Sequence, residues 1–317
     1  MEHLSLCYGV GPLLYCPAVN QSIADSLKNE KFGRHYSLAM CLEDTIDDNH
    51  VKEAEQTLIN SLNEITSASE QNEFYIPKIF IRIRCPEQIS RLYQELSSAR
   101  SLITGFIIPK ITPENADDYI NEIKQINEIS DRRIYMMPII ENPAIINLTH
   151  RYDILYELKQ KFDQISHLIL NIRVGGNDLC NAFGFRRQST ETIHDIKPVI
   201  NILTDITTVF GTDYVVSGPV WEYYDGPGWD TGLNAELNMD RQAGFVGKTV
   251  IHPNQIPLVN EAYKVSELDY QDAMAILDWD KEAMVSGSVS HSRMNEYKTH
   301  CRWAQRVLGL AKAYGVK

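Results

Sequence analysis

The sequence predicts a closed (β/α)8 barrel followed by a helical tail, and three observations carry that expectation. Short apolar runs alternate with longer helix-period segments, and the alternation repeats about eight times. The runs are apolar throughout, as strands buried on both faces of a parallel sheet must be. No GxGxxG follows the first run and no GxxxxGK[ST] occurs anywhere, which leaves an open doubly wound sheet as the runner-up.

In chain order the predicted strands are residues 11–19, 37–44, 78–84, 102–110, 134–142, 167–176, 212–221 and 244–253. Helices are expected between them, over 48–64, 87–98, 113–128, 149–161, 194–210 and 233–243. The stretch 48–64 places Val51, Ala54, Leu58, Ile59 and Leu62 on one stripe, close to amphipathic spacing. Thr112 before Pro113 reads as an N-cap with proline at the first helical position.

The barrel is expected to fill residues 1–262 and a helical extension residues 263–317. In the extension, helices over 263–280 and 297–314 are joined by what reads as a flexible linker, VSGSVSHSRMN. Two helices after a finished barrel are placed to pack on a neighbouring subunit, so the sequence predicts a homo-oligomer.

With 317 residues the chain has the length of one such barrel and its tail. A formal charge of −12 opposes general attraction to nucleic acid or anionic lipid. No run reaches the roughly 18 apolar residues of a membrane span, and the first residues lack a basic leader pattern. Six scattered cysteines, with no CxxC and no short Cys/His pair, predict neither disulfides nor structural zinc; they suit a reducing cytoplasm.

In a barrel of this kind the working groups gather at the C-terminal ends of the strands. The polar residues there are Glu43, Asp44, Arg82, Arg84, Lys110, Glu141, Asp178 and His252. Glu141 and Asp178 end successive strands and are the candidate metal ligands. Carboxylate oxygens with open water positions suit octahedral Mg2+, whereas zinc would call for His or Cys. Taken singly, Glu141 could instead cap a helix and Asp178 serve the turn after the glycines.

Arg82 and Arg84 share a strand face under period-2 alternation, and the planar fork of Arg82 could hold a carboxylate bidentately or pair with Glu43 or Asp44. Lys110 reads equally as a salt-bridge partner or a substrate contact. Gly175 and Gly176 permit close approach of backbone to ligand. Arg173, on the strand before them, extends a basic pocket with Arg82 and Arg84. His252, between Ile251 and Pro253, reads as a structural histidine. Trp221, Tyr223, Tyr224 and Trp229 form either a lid or the packing of a long loop on the rim.

Six motifs together resemble the citrate lyase β-subunit and malyl-CoA lyase branch of the HpcH/HpaI aldolase family. They are CLEDTI at 41–46, IRIR at 81–84, IIPK at 107–110, PIIEN at 138–142, VGGNDL at 174–179 and GFVGKTVIHPNQI at 244–256. The resemblance covers residues 11–262. It implies a Mg2+-dependent carbon–carbon lyase on a TIM-type barrel, acting on a small oxo or hydroxy acid or its acyl-CoA thioester. Cleavage leaves an enolate whose charge the metal and an arginine stabilise.

On the matching motifs the resemblance makes Glu141 and Asp178 the metal ligands, Arg82 the group that meets substrate oxygens, and Glu43 and Asp44 acids that orient substrate or its partners. It also implies a trimer or hexamer in which a tail acid reaches a neighbouring site. The nearest match to that tail motif is SRMNE at 292–296, making Glu296 the candidate. The chain departs from the family pattern at Gly9, Val10 and Gly11, where an arginine usually opens the first strand, and at Arg84, which replaces an asparagine. An added arginine suits a more anionic substrate than a CoA ester. A pyruvate or oxaloacetate aldolase, a malyl-type thioesterase and a non-catalytic metabolite-binding subunit are the alternatives.

Overall fold

The structure, a computed structural model, describes residues 2–279 and 285–317. Eight strands form one parallel sheet: β1 Pro12–Pro17, β2 Ser37–Cys41, β3 Lys78–Arg82, β4 Ile103–Ile108, β5 Tyr135–Ile140, β6 Ile172–Val174, β7 Val216–Ser217 and β8 Lys248–Val250. Their spatial order is β7-β6-β5-β4-β3-β2-β1-β8, so each strand except the last lies beside its predecessor. β1 pairs with β8 through Pro12 and Lys248 to Leu14 and Val250. The remaining seam, between β7 and β8, is bridged at Gly218 and Lys248. Gly218 N–H donates to Gly247 O at 3.1 Å and Val246 N–H to Val216 O at 2.9 Å. The sheet is a closed barrel, as the alternation of apolar runs and helices predicted.

Every residue of β2, β4 and β5 is buried, which explains apolar runs without period-2 alternation. Helices cover the outside. Val51–Gln71 buries Ala54, Leu58 and Leu62 of the predicted stripe, leaves Val51 and Ile59 partly buried, and runs well past the expected end at 64, adding Ile65 to the buried face. Pro113–Ile129 begins at the predicted position, where Thr112 N–H donates to the Asn115 side chain at 2.8 Å.

The late strands are shorter than their apolar runs suggested. In the run 167–176, the 3-10 turn Ser166–Leu168 comes first and only Ile172–Val174 is strand. The run 212–221 leaves two strand residues, because its remainder enters the loop that carries Trp221. Apolar content here reports burial, which loops against the barrel share with strands. The short helices Glu2–Tyr8, Ile23–Lys28 and Gly176–Ala182 had no counterpart in the sequence reading.

The tail corrects two expectations. The helix placed over 263–280 is instead Gln255–Tyr263 followed by Glu267–Leu277; its expected end at Asp280 lies outside the described residues. The break is set by Ser266, whose hydroxyl caps the second helix by accepting from Asp269 N–H. The stretch read as a flexible linker holds an antiparallel pair, Val285–Gly287 with Met294–Glu296. Asp272, almost fully buried, anchors it: its carboxylate accepts from Val289 N–H at 2.8 Å and from Arg293 Nε at 2.7 Å.

Val265, Ala273, Ile276, Ala304 and Val307 make a small apolar cluster of the tail, separate from the barrel core. The last helix, Tyr297–Tyr314, returns to the barrel, where Tyr314 joins the main core. All six cysteines are free, and four of them, Cys7, Cys16, Cys41 and Cys180, are buried.

Candidate active site

The C-terminal ends of β2 to β6 bring most of the expected polar residues together. Glu43 and Asp44 follow β2, Arg82 is the last residue of β3, Lys110 lies just past β4, and Glu141 directly follows β5. Gly175 and Gly176 follow β6, and Asp178 lies in the first turn of the helix they open.

Arg82 is the hub. Its Nη2 lies 2.6 Å from Glu43 Oε2, 2.9 Å from Asp44 Oδ2 and 3.5 Å from Glu141 Oε1. Burial opposes its charge, but Tyr15, Glu141 and Glu43 together raise its pKa further. The guanidinium also lies over the Tyr15 ring, 5.7 Å from its centroid. Lys110 closes the cluster from outside, with Nζ 2.6 Å from Glu43 Oε1 and 2.8 Å from Asp44 Oδ1. Its backbone takes a positive φ of 49°, which turns its N–H onto Glu141 Oε1 at 3.0 Å.

The two neighbouring acids differ in their proton affinity. Glu43 sits above the ordinary carboxylate range because burial and the adjacent Asp44 outweigh Arg82 and Lys110. Asp44 is held low: burial pushes it up, but Glu43, Lys110 and Arg82 prevail. Glu141 is only 2% exposed, and burial, helped by the nearby Asp178 charge, lifts it to about 8 against the pull of Arg82.

A cavity of about 240 Å³ opens between these groups. Arg82, Glu141, Asp178, Asp44, Gly175 and Gly176 line it, as do Tyr15, Arg173 and Thr249. Glu141 and Asp178 therefore face one space. Among the described residues no set of three or more His, Cys, Asp or Glu side chains forms a metal-binding group. A cation held by Glu141 and Asp178 would complete its shell with water or substrate oxygens, which suits a hard ion such as Mg2+. The pair fits such an ion on a second count. Glu141 is a buried carboxylate destabilised by Asp178, and a cation between them would reverse that repulsion.

Arg84 is not brought to the cavity. β3 ends at Arg82, so strand alternation no longer governs residue 84, and its guanidinium reaches Asp48 Oδ1 at 2.6 Å and Ile46 O at 3.0 Å. Glu296 also lies away from the cavity, accepting from Thr299 Oγ1 at 2.7 Å at the foot of the tail hairpin. His252 has a structural setting, accepting from Asn254 N–H and stacked on Tyr224 at 4.6 Å. The aromatic loop packs the rim: Trp221 is buried and donates to Trp229 O, and Tyr223 donates to Arg187 O.

Sequence reasoning missed Tyr15 and Thr249. The first lies on β1 and the second on β8, the two strands whose pairing closes the barrel beside the site. Their inward positions follow from strand alternation once the strand ends are known. It also missed a buried ionic cluster between β8 and the helix Trp229–Gln242. Lys248 Nζ lies 2.8 Å from Glu236 Oε1 and 2.6 Å from Asp240 Oδ2, with Arg187 on Glu236 and His194 on Asp240. Glu236 and Asp240 are one helical turn apart on Trp229–Gln242, a spacing that could have signalled a shared partner.

No curated protein matches the chain by sequence. Among solved structures, a citrate lyase from Burkholderia xenovorans LB400 superposes with a TM-score of 0.72 at 14% identity, covering 97% of this chain and 93% of that one. The CitE protein of Mycobacterium tuberculosis, in complex with magnesium, acetoacetate and coenzyme A, gives 0.60 at 17% identity over 96% and 99%. The citrate lyase beta subunit of the same organism, complexed with oxaloacetate and magnesium, gives 0.51 at 18% over 81% and 98%. Identities this low speak for the fold. A family model described as C-C bond lyase of the TIM-barrel fold matches residues 4–316, and the chain belongs to that family of lyases.

Proposed function

We propose that the chain is a Mg2+-dependent carbon–carbon lyase that cleaves or forms a bond in a small oxo or hydroxy acid, free or as a thioester. The observation that carries this reading is the shared cavity in which Glu141 and Asp178 face Arg82. Glu141 and Asp178 would hold the ion, which when bound polarises the substrate carbonyl and lowers the energy of the enolate charge. Arg82 stands at the same mouth with its cation fixed by three carboxylates, so it meets developing oxygen charge without having to reorganise. Lys110 holds Glu141 from its backbone and Glu43 and Asp44 from its side chain, keeping the acids in register. Glu43, the more basic of the adjacent pair, is placed to hold a proton that Asp44 accepts by hydrogen bonding.

The same reading makes the protein a cytoplasmic homo-oligomer, a trimer or hexamer, in which Glu296 serves a neighbouring cavity. Glu296 is remote from its own site, and the hairpin beside it exposes Val285, Val289 and Met294. No described helix is long and apolar enough to cross a membrane. Light scattering of the purified chain tests the assembly; a monomer at working concentration would remove the role of Glu296.

Magnesium calorimetry tests the centre. The native chain is expected to bind Mg2+, and Glu141→Ala and Asp178→Ala to abolish binding. Equal binding by all three proteins would overturn the assignment. Release of thiol from malyl-CoA or citryl-CoA, set against cleavage of free oxo acids, then decides between thioester and free acid.

A further inference from the structure

Five arginine and lysine side chains are buried among the described residues: Arg82, Arg151, Arg173, Arg187 and Lys248. Four have carboxylates. Arg82 has Glu43, Asp44 and Glu141; Arg151 has Asp205; Arg187 has Glu236; Lys248 has Glu236 and Asp240. Arg173 is the exception. It is 2% exposed, and its partners are all neutral: Thr249 Oγ1 at 2.6 Å, Asn171 Oδ1 at 3.4 Å and the Tyr15 hydroxyl. Among the described residues its Nε has no partner.

A buried cation without a counterion is costly, and folds tolerate one where an anion arrives from outside. Arg173 lines the same cavity as Glu141, Asp178 and Arg82. Of the two cations that line it among the described residues, Arg82 is already occupied by three carboxylates and Arg173 by none of those described. Thr249 and Tyr15, which hold the guanidinium, line the cavity too, so an acid reaching Arg173 would find two hydroxyls beside it. Asn171 is itself fixed, donating to Cys7 O and Leu170 O, so Arg173 is held from behind. The space of about 240 Å³ equals roughly eight waters at ~30 Å³ each, enough for a small diacid.

The geometry points to Arg173 as the counterion for a second carboxylate of the substrate, which makes that substrate a small oxo or hydroxy diacid. This rests on the reading above, in which the carbonyl of the oxo or hydroxy acid meets the ion held by Glu141 and Asp178. The second carboxylate then points into the barrel, and any thioester would extend outward from the mouth.

Malate and lactate share a 2-hydroxy acid head and differ by one carboxylate, so calorimetry of the full chain with each, in the presence of Mg2+, isolates the role of Arg173. Malate is expected to bind at least tenfold tighter than lactate. Arg173→Met should weaken malate tenfold or more while leaving lactate and Mg2+ within twofold, and Arg173→Lys should recover part of the loss. The thermal midpoint of ligand-free Arg173→Met should hold or rise, because only neutral partners are lost; a structural arginine would lower it. Thr249→Val, which keeps the arginine but removes the hydroxyl that aims it, should weaken malate selectively even if Arg173→Met does not fold. Equal affinity of the native chain for the two acids, or equal weakening of both by these variants, overturns the assignment and leaves the lyase reading standing. Absence of any Mg2+-dependent binding of either acid removes both.

Discussion

Gly175 lies so close to Glu141 that a methyl group on its α-carbon would overlap the carboxylate. The glycine is required by space alone, since its φ of −94° is open to any residue. Gly175→Ala is therefore expected to push Glu141 aside, costing about 1–3 kcal/mol of stability as an overpacked position does. Mg2+ affinity should fall tenfold or more. Urea unfolding and calorimetry read the two effects separately, and an alanine variant with native Mg2+ affinity would show that the carboxylate can shift without loss.

Glu141 also predicts a pH dependence. Its pKa of about 8 lies above the ordinary value of 4.5, so the folded state holds this proton more tightly than the unfolded chain. The stabilising contribution is complete below about 4.5 and is lost as pH rises through about 8. Without divalent cation, stability should fall across that window by this route, and Glu141→Gln should flatten the slope. Mg2+ binding should strengthen toward alkaline pH and release a proton below about 8, measurable by calorimetry in buffers of different ionisation heat.

Lys248 holds two fully buried carboxylates, Glu236 and Asp240. Lys248→Met should cost about 3–5 kcal/mol, because it strands buried charge beside Arg187 and His194. Burial would raise Asp240, but Lys248 and His194 hold it below its ordinary value. Its contribution is present above 3.8 and lost as pH falls, so the native chain should lose stability on acidification by this route. Urea titrations at neutral and acid pH measure both.

Asp272 ties the tail hairpin to the helix Glu267–Leu277 through Val289 N–H and Arg293, and Asp269 of the same helix holds Arg293 from a second side. Asp272→Ala should loosen residues 285–296 and expose them to limited proteolysis well before the barrel. The cost is on the order of 1–3 kcal/mol, from the unpaired Val289 amide and the loss of one of the two carboxylates on Arg293. Cleavage at the native rate would place the anchor elsewhere.

The barrel was legible because eight apolar runs and their glycine and proline boundaries are local properties of the chain. So were Glu141, Arg82 and Gly175, since each sits where an apolar run ends. What stayed hidden depends on where strands stop. Arg84 was placed beside Arg82 by alternation, but β3 ends first and the alternation ends with it. Tyr15 and Thr249 reach the cavity from strands that meet only when the ring closes, a pairing between residues more than two hundred positions apart. The tail hairpin was unreadable for another reason: its serine-rich sequence carries no strand pattern, and Asp272, from the preceding helix, holds it through Val289 and Arg293.

The ring closure carries a consequence for how the protein is made. During synthesis β1 can pair with β2 early, but its other edge waits for Lys248–Val250, which emerges after nearly four-fifths of the chain. Until then Tyr15 and Arg173 stand without Thr249, and the part of the cavity lining that Thr249 and Ile251 supply is missing. The order of emergence thus makes the acid-binding end of the site the last part of the barrel to be assembled, and a ribosome stalled before residue 248 would carry seven of the eight strands, with the ring unclosed and the pocket open on one side.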